Sequence, residues 1–282
     1  MLTWKIFLIV AIIAGTSGFV LASNATLTEV TQEKQNNEII QPFVPLSCNC
    51  VAFRLDDIKD ASYDEVQFPI INFFMEREIP LTIGIIGNKF GNDTSSVNIF
   101  KELLQKNGDK LEIANHGWNH ESFIQYNKKQ QSYLIKKTND KLLEKLGITP
   151  NVFITPFNRF NEDTISALKE NGITHMSAAE KPTNSLEKST FFSYPATSTT
   201  GEFTKIQDEL VWLPWTGKKT FNAVAASVTD YGFAVVMMHP KDFGQLAARG
   251  NALNFEQIHE LEYVIEKIHE AGWNIVPIGK IS

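Results

Sequence analysis

Five titratable residues have types and spacings suited to metal-assisted hydrolysis: the adjacent pair Asp56-Asp57, His116 and His120 within His116-Gly117-Trp118-Asn119-His120, and His239. Two imidazoles four residues apart share a face on a helical turn. There they bind one Zn²⁺-like ion at about 2.0–2.1 Å. A carboxylate from elsewhere completes a facial set of three and leaves positions for water and substrate. Alone, His-x-x-x-His also describes two surface histidines in a polar loop. Neighbouring carboxylates behind a buried strand repel one another and lose hydration unless a cation or a shared proton relieves them. The competing reading for them is a solvated turn or a helix cap.

The elements that would position these groups alternate along the chain. Apolar, strand-like runs fall at residues 51–55, 81–86, 111–115, 152–155, 173–176, 233–238 and 275–278. Amphipathic or capped helical stretches fall at 65–78, 95–106, 128–146, 161–170, 221–228 and 255–270. Residues 191–211, with scattered Ser, Thr and Pro, follow neither period. Strand–helix alternation with near-continuous apolar strands predicts a parallel sheet covered by helices. Seven or eight such units fit a complete or distorted (β/α) barrel better than two separate domains. Asp56-Asp57, His116 with His120, Phe157-Asn158-Arg159 and His239 each follow a predicted strand. In a parallel barrel those C-terminal strand ends converge on one rim, where active sites of this architecture lie.

On these residues the chain resembles the polysaccharide deacetylases (carbohydrate esterase family 4, the NodB-homology fold). Phe53-Arg54-Leu55-Asp56-Asp57, His116-Gly117-Trp118-Asn119-His120 and Met237-Met238-His239 are similar to that family's first, second and last motifs, across residues 51–278. The resemblance implies a distorted (β/α) barrel of about seven parallel strands and one divalent metal ion, zinc or another divalent transition metal. It implies Asp57, His116 and His120 as metal ligands, Asp56 as general base and His239 as general acid. Phe157, Asn158 and Arg159 would contact the substrate, a glycan with N-acetylated sugars. Two departures stand out. Ile154 occupies the position of the third-motif Arg that orients the catalytic Asp in the family, leaving Arg159 or Asn158 to replace it. Trp212 and Trp215 lie near the fourth motif without its Asp. The same machinery acting on another amide or an ester, or a silent glycan-binding protein, are the alternatives.

Charge and composition exclude other classes. The net charge is −6 and only four arginines occur, none in a basic run, so phosphate-rich partners such as nucleic acid are not expected. No phosphate-cradling loop or Gly-x-Ser-x-Gly elbow is present. At the N-terminus Lys5 precedes an apolar stretch reaching Ala22, with small residues at Ala22, Ser23 and Ala25. Residues 1–25 read as a secretory signal or an uncleaved membrane anchor. Residues 26–47 read as a disordered polar spacer and 48–282 as the catalytic domain, placed outside the cytoplasm. Cys48 and Cys50 are read as small half-buried residues entering the first strand, with oxidation open outside the cell. His175 is a candidate for the rim or for packing; His259 and His269 fall on a charged helix surface. Trp118, Phe157, Trp212 and Trp215 are sugar-stacking candidates that would serve equally well as core.

Overall fold

The structure is a computed structural model and describes residues 46–60, 64–178, 191–245 and 252–282. The proposed signal or anchor, and nearly all of the spacer, lie outside the described residues. Among the described residues no helix is long and apolar enough to cross a membrane.

Eight parallel strands form the main sheet. In chain order they are β1 (Cys50–Ile58), β2 (Leu81–Ile85), β3 (Leu111–Asn115), β4 (Val152–Ile154), β5 (His175–Ser177), β6 (Phe192–Ser193), β7 (Ser198–Thr199) and, after a hairpin, β10 (Phe233–Met238). Their spatial order is β6-β5-β4-β3-β2-β1-β10-β7, and a short β11 (Asn274–Ile275) also pairs with the start of β1. The sheet curls into a half barrel surrounded by helices, the distorted (β/α) barrel expected from the alternation. The stretch that followed neither period, near residue 191, explains the distortion. Its two ends pair with opposite edges of the sheet, β6 with β5 and β7 with β10. A few residues of extended chain thereby close the barrel in place of another βα unit. Buried Tyr194 anchors this seam by donating its hydroxyl to the Ile281 carbonyl (2.6 Å).

Side-chain alternation along β1 sorts the two faces. Val51, Phe53 and Leu55 join the large outer core, packed against α1 (Asp64–Glu76) and α6 (Phe255–Glu270). Cys50 and Ala52 join a smaller inner cluster with Ala114, Ile154 and Val235. Helix ends follow their caps. Asn127 and Gln130 form a reciprocal capping box opening α3 (Lys128–Leu146), and left-handed Gly147 ends it. Residues 217–231, expected as a helix only over 221–228, form α5 (Gly217–Tyr231), capped by the Thr216 side chain.

Two local expectations change, and the packing reading of His175 holds. The first strand does not stop before the carboxylates; it continues through them to Ile58, with a register shift against β2 between Leu55 and Ile58. Cys48 and Cys50 are joined as a disulfide, with Cα atoms 5.1 Å apart, rather than standing as separate thiols. His175 lies at the start of β5, stacked on Phe192 at 5.1 Å, and does not line the rim.

Candidate metal centre and catalytic cleft

The C-terminal strand ends open into a cleft of about 820 Å³, within the range typical of small-molecule sites. Asp56, Asp57, His116, His120, Phe157, Asn158, Arg159 and His239 all line it. The expected metal ligands, acid–base pair and substrate-contact residues are therefore brought to one place.

The ligand set forms by loop geometry, not by a helical turn as the spacing suggested. His116 follows β3, the chain turns at left-handed Gly117, and His120 is itself left-handed with φ 61°. A side chain at Gly117 would meet Pro156, Glu121 and Phe123 within 3.1–3.3 Å, so the turn has no room for one. Asp57, in the β1 irregularity, has φ 66°. Such conformations are strained for residues with a Cβ and recur at functional sites. Here they aim Asp57 Oδ1 at both imidazoles, 3.3 Å from His116 Nε2 and 3.2 Å from His120 Nε2. These atoms form the one Asp-His-His cluster, among the described residues, able to hold a metal.

The donor chemistry fits a divalent cation. His116 Nδ1 lies 2.8 Å from the Ile154 carbonyl, which can only accept, so Nδ1 carries the proton and the Nε2 lone pair is free for coordination. Asp57 Oδ1 is buried without a hydrogen-bond donor. A carboxylate oxygen facing two imidazole nitrogens at this range is unfavourable until a proton or a cation lies between them. Burial pushes the Asp57 carboxyl up, but the hydrogen bond and charges of the histidines outweigh it and hold it well below the usual range. Burial and the charge of His116 together bring His120 down to about 4. Those effects belong to the cation-free site with His116 protonated, a form that burial opposes and the Asp57 contact favours; a bound cation would take the place of that proton.

Beside the ligand set, Asp56 is held by a residue that the sequence reading overlooked. Arg54 lies two positions earlier on β1, fully buried, with Nη2 3.2 Å from Asp56 Oδ2. Its other contacts are Nη1 to Ser177 Oγ at 2.7 Å and Nη2 to Asn158 Oδ1. The guanidinium therefore takes the place that Ile154 leaves empty, approaching from a different strand. Arg159 does not contact Asp56; Asn158 acts indirectly by fixing Arg54, and donates to the Met237 sulfur at 3.3 Å. Burial pulls Arg54 below its usual pKa and the Asp56 carboxylate opposes that. Asp56 Oδ1 stays buried with no partner.

His239 follows β10 on the strand next to β1 and stands edge-on to Trp212, ring centroids 5.5 Å apart. A buried carboxylate, Asp242, stands three residues after His239. Asp242 Oδ2 lies 3.7 Å from His239 Nδ1 and accepts from the His239 backbone N–H (2.8 Å) and Thr200 Oγ1 (2.6 Å). Sequence signals existed for both unnoticed residues: Arg54 and Asp56 share a strand face by period two, and Asp242 stands at capping-box spacing from His239. Of the aromatic candidates, Phe157 and Trp212 line the cleft. Trp118 instead packs under Lys137 and Trp215 under Lys219. His259 is exposed and pairs with Glu262, and His269 is exposed, as expected for helix-surface residues.

Residues 44–176 match the polysaccharide deacetylase family model, a span that holds Asp56 and the three ligands but not His239. No curated protein matches the chain in sequence. A protein from Mycobacterium smegmatis assigned to the polysaccharide deacetylases is similar in fold at TM-score 0.61 and 17% identity, covering 86% of this chain and 93% of that one. A peptidoglycan N-acetylglucosamine deacetylase in complex with an N-hydroxybenzamide compound is similar at TM-score 0.55 and 16% identity, covering 85% and 91%. A family 4 acetyl xylan esterase from Clostridium thermocellum, in complex with a cobalt ion, follows at TM-score 0.54 and 15% identity, covering 82% and 89%. At these identities the structural likeness carries the fold, and the family match carries the motifs. Together they make this chain similar to the polysaccharide deacetylases in motif over residues 44–176 and in fold over most of its length.

Proposed function

We propose that the chain is a metal-dependent hydrolase that removes N-acetyl groups from amino sugars of a glycan outside the cytoplasm. The observation that carries this is Asp56, lining the cleft with the Asp57–His116–His120 cluster, its Oδ2 paired with Arg54 and its Oδ1 without a partner. A divalent cation held by that cluster would polarise the acyl carbonyl and acidify a water. Asp56 takes the water proton through Oδ1 as the water oxygen bonds to the acyl carbon. His239 delivers a proton to the sugar nitrogen as the C–N bond breaks, releasing acetate and a free amine. Asp242 holds the His239 backbone through its N–H, with the carboxylate 3.7 Å from the ring Nδ1. Phe157, over His120 at 4.5 Å, and Arg159 border the space left for the sugar.

Acetate release from N-acetylated glycans tests this reading, with activity lost to a chelator and restored by zinc or cobalt. Release from O-acetyl esters alone would make the protein an esterase. Glycan binding with no release under any metal would make it a silent binder. For location, a reporter fused after Ser47 should be active outside the cytoplasmic membrane; activity confined to the cytoplasm would overturn that part.

A further inference from the structure

Among the described residues that line the cleft, one sulfur atom has no part in the catalytic scheme, that of Met237. The chain has five methionines. Met75, Met176 and Met238 are buried, at 7%, 0% and 0% exposure, and Met1 lies outside the described residues. Met237 is half-buried on β10 and opens onto the cleft. Both cysteines are joined as a disulfide, so no free thiol competes with it for an oxidant. The hairpin of β8 (Gly201–Ile206) and β9 (Glu209–Pro214) supplies Phe203 and Trp212 to the same cleft, and neither brings a second sulfur. A thioether is oxidised where an oxidant can reach its sulfur, which ranks Met237 ahead of the buried methionines.

The same sulfur belongs to the support of Asp56. Met237 stands in register with Arg54 on the neighbouring strand. Asn158 donates through Nδ2 to the Met237 sulfur at 3.3 Å, while its Oδ1 accepts from Arg54 Nη2. That Nη2 lies 3.2 Å from Asp56 Oδ2. An amide turned the other way would set Nδ2 against the guanidinium, donor to donor, so the sulfur and Arg54 together fix which end points where. The backbone beneath is constrained as well, because Phe157 and Asn158 are consecutive left-handed residues with φ 58° and 55°.

We propose that Met237 is an oxidation site, at which a peroxide converts the thioether to the sulfoxide and so loosens the support that holds Asp56. The kinetic consequence rests on reading Asp56 as the base of the hydrolysis. In the oxidation a sulfur lone pair attacks one peroxide oxygen, and the S–O bond forms as the O–O bond breaks. The departing hydroxide takes the proton of the transferred hydroxyl and leaves as water. Sulfur loses two electrons and the peroxide gains them, with no other co-reactant. An oxygen on the lone pair facing Asn158 falls within the 3.3 Å that the hydrogen bond already spans. An oxygen on the other lone pair leaves the sulfur electron-poor and a worse acceptor. Either way the Asn158 amide loses one of the two contacts that fix it, and Arg54 loses the rigidity of its partner.

The test treats the zinc-loaded full chain with hydrogen peroxide and follows oxygen uptake at each methionine by peptide mass spectrometry. Met237 should gain its oxygen at least about tenfold faster than Met75, Met176 and Met238. Acetate release should fall at least about tenfold in step with that gain, with zinc retained. It should return on treatment with a methionine sulfoxide reductase and dithiothreitol. Met237→Leu should keep its own starting rate through the same peroxide treatment. Equal oxidation of the buried methionines, a fully oxidised Met237 with unchanged acetate release, or the same loss in Met237→Leu overturns the inference and leaves the deacetylase reading standing. If the chain releases no acetate from any glycan, the deacetylase reading fails separately and Tm decides. A lower Tm on oxidation of Met237, absent in Met237→Leu, keeps the inference, whereas an unchanged Tm overturns it.

Discussion

Replacing Arg54 with Met should remove the fixed orientation of Asp56 while leaving the metal in place. Arg54 donates to Ser177 and Asn158 and pairs with Asp56, and none of its contacts is with Asp57, His116 or His120. Both partners of the ion pair are almost fully buried, with side-chain exposures of 0% and 4%. Breaking a buried pair by removing one member costs roughly 3–5 kcal/mol, because the other charge is left uncompensated. For a domain of this size that lowers Tm by something on the order of 10 °C. The kinetic loss should approach that of Asp56→Asn, about 10²–10⁴ in kcat, since an unheld base is nearly an absent one. Arg54→Lys should recover little, because one ammonium cannot reproduce a fork that reaches three acceptors. The decisive assay is a double-mutant cycle on acetate release, with metal content followed by elemental analysis. Arg54→Met in an Asp56→Asn background should cost almost nothing more. Ile154→Arg added to Arg54→Met should restore part of the rate, because Ile154 belongs to the same inner cluster as Ala52 and faces the barrel interior. Multiplicative losses, or loss of metal from Arg54→Met, would refute the positioning role.

Ala substitution of Asp57, His116 or His120 should remove bound metal and activity together; stoichiometric metal in all three variants would overturn the ligand set. Asp242→Ala should lower kcat with metal retained and KM little changed, since the carboxylate touches His239 and Thr200 but no proposed ligand; loss of metal or an unaffected kcat would count against it. Glu112 accepts from Thr82 Oγ1 and the Gly279 N–H, yet burial raises its pKa above the ordinary value. A carboxyl raised in the folded state contributes stability below its unfolded pKa of about 4.3 and loses it as pH rises through the folded value. Glu112→Gln should therefore gain Tm relative to the parent at neutral pH and show no gain near pH 4; a difference independent of pH would refute the assignment.

What was legible in the sequence follows from which forces act locally. The boundaries of β3, α3, β10 and α6 match the residues whose apolar period and caps are self-contained. The segment after Phe191 was not legible because its strands are only two residues long and exist by pairing with opposite sheet edges. The metal ligands could be named from motif order, whereas their geometry could not. Left-handed conformations at Asp57 and His120 are paid for by the surrounding fold and leave no mark in the pattern.

The two substituted supporting residues sharpen the same point. Seen along the chain, Ile154 and the absent fourth-motif Asp look like lost function. In the structure a guanidinium pairs with Asp56 from Arg54, two residues before it, and a carboxylate, Asp242, lies 3.7 Å from the His239 ring, three residues after it. A buried base needs a cation within hydrogen-bond reach and an acid needs an orienting acceptor, but the physics does not specify the strand that delivers them. Alternation allows Arg54 because positions 52, 54 and 56 share the concave face, and Ser177 and Asn158 complete its hydrogen bonding there. Such a buried, multiply bonded guanidinium would be a costly remnant if nothing required Asp56 to be held in one orientation. Its retention beside an unpartnered Oδ1 therefore supports a working base over a silent one.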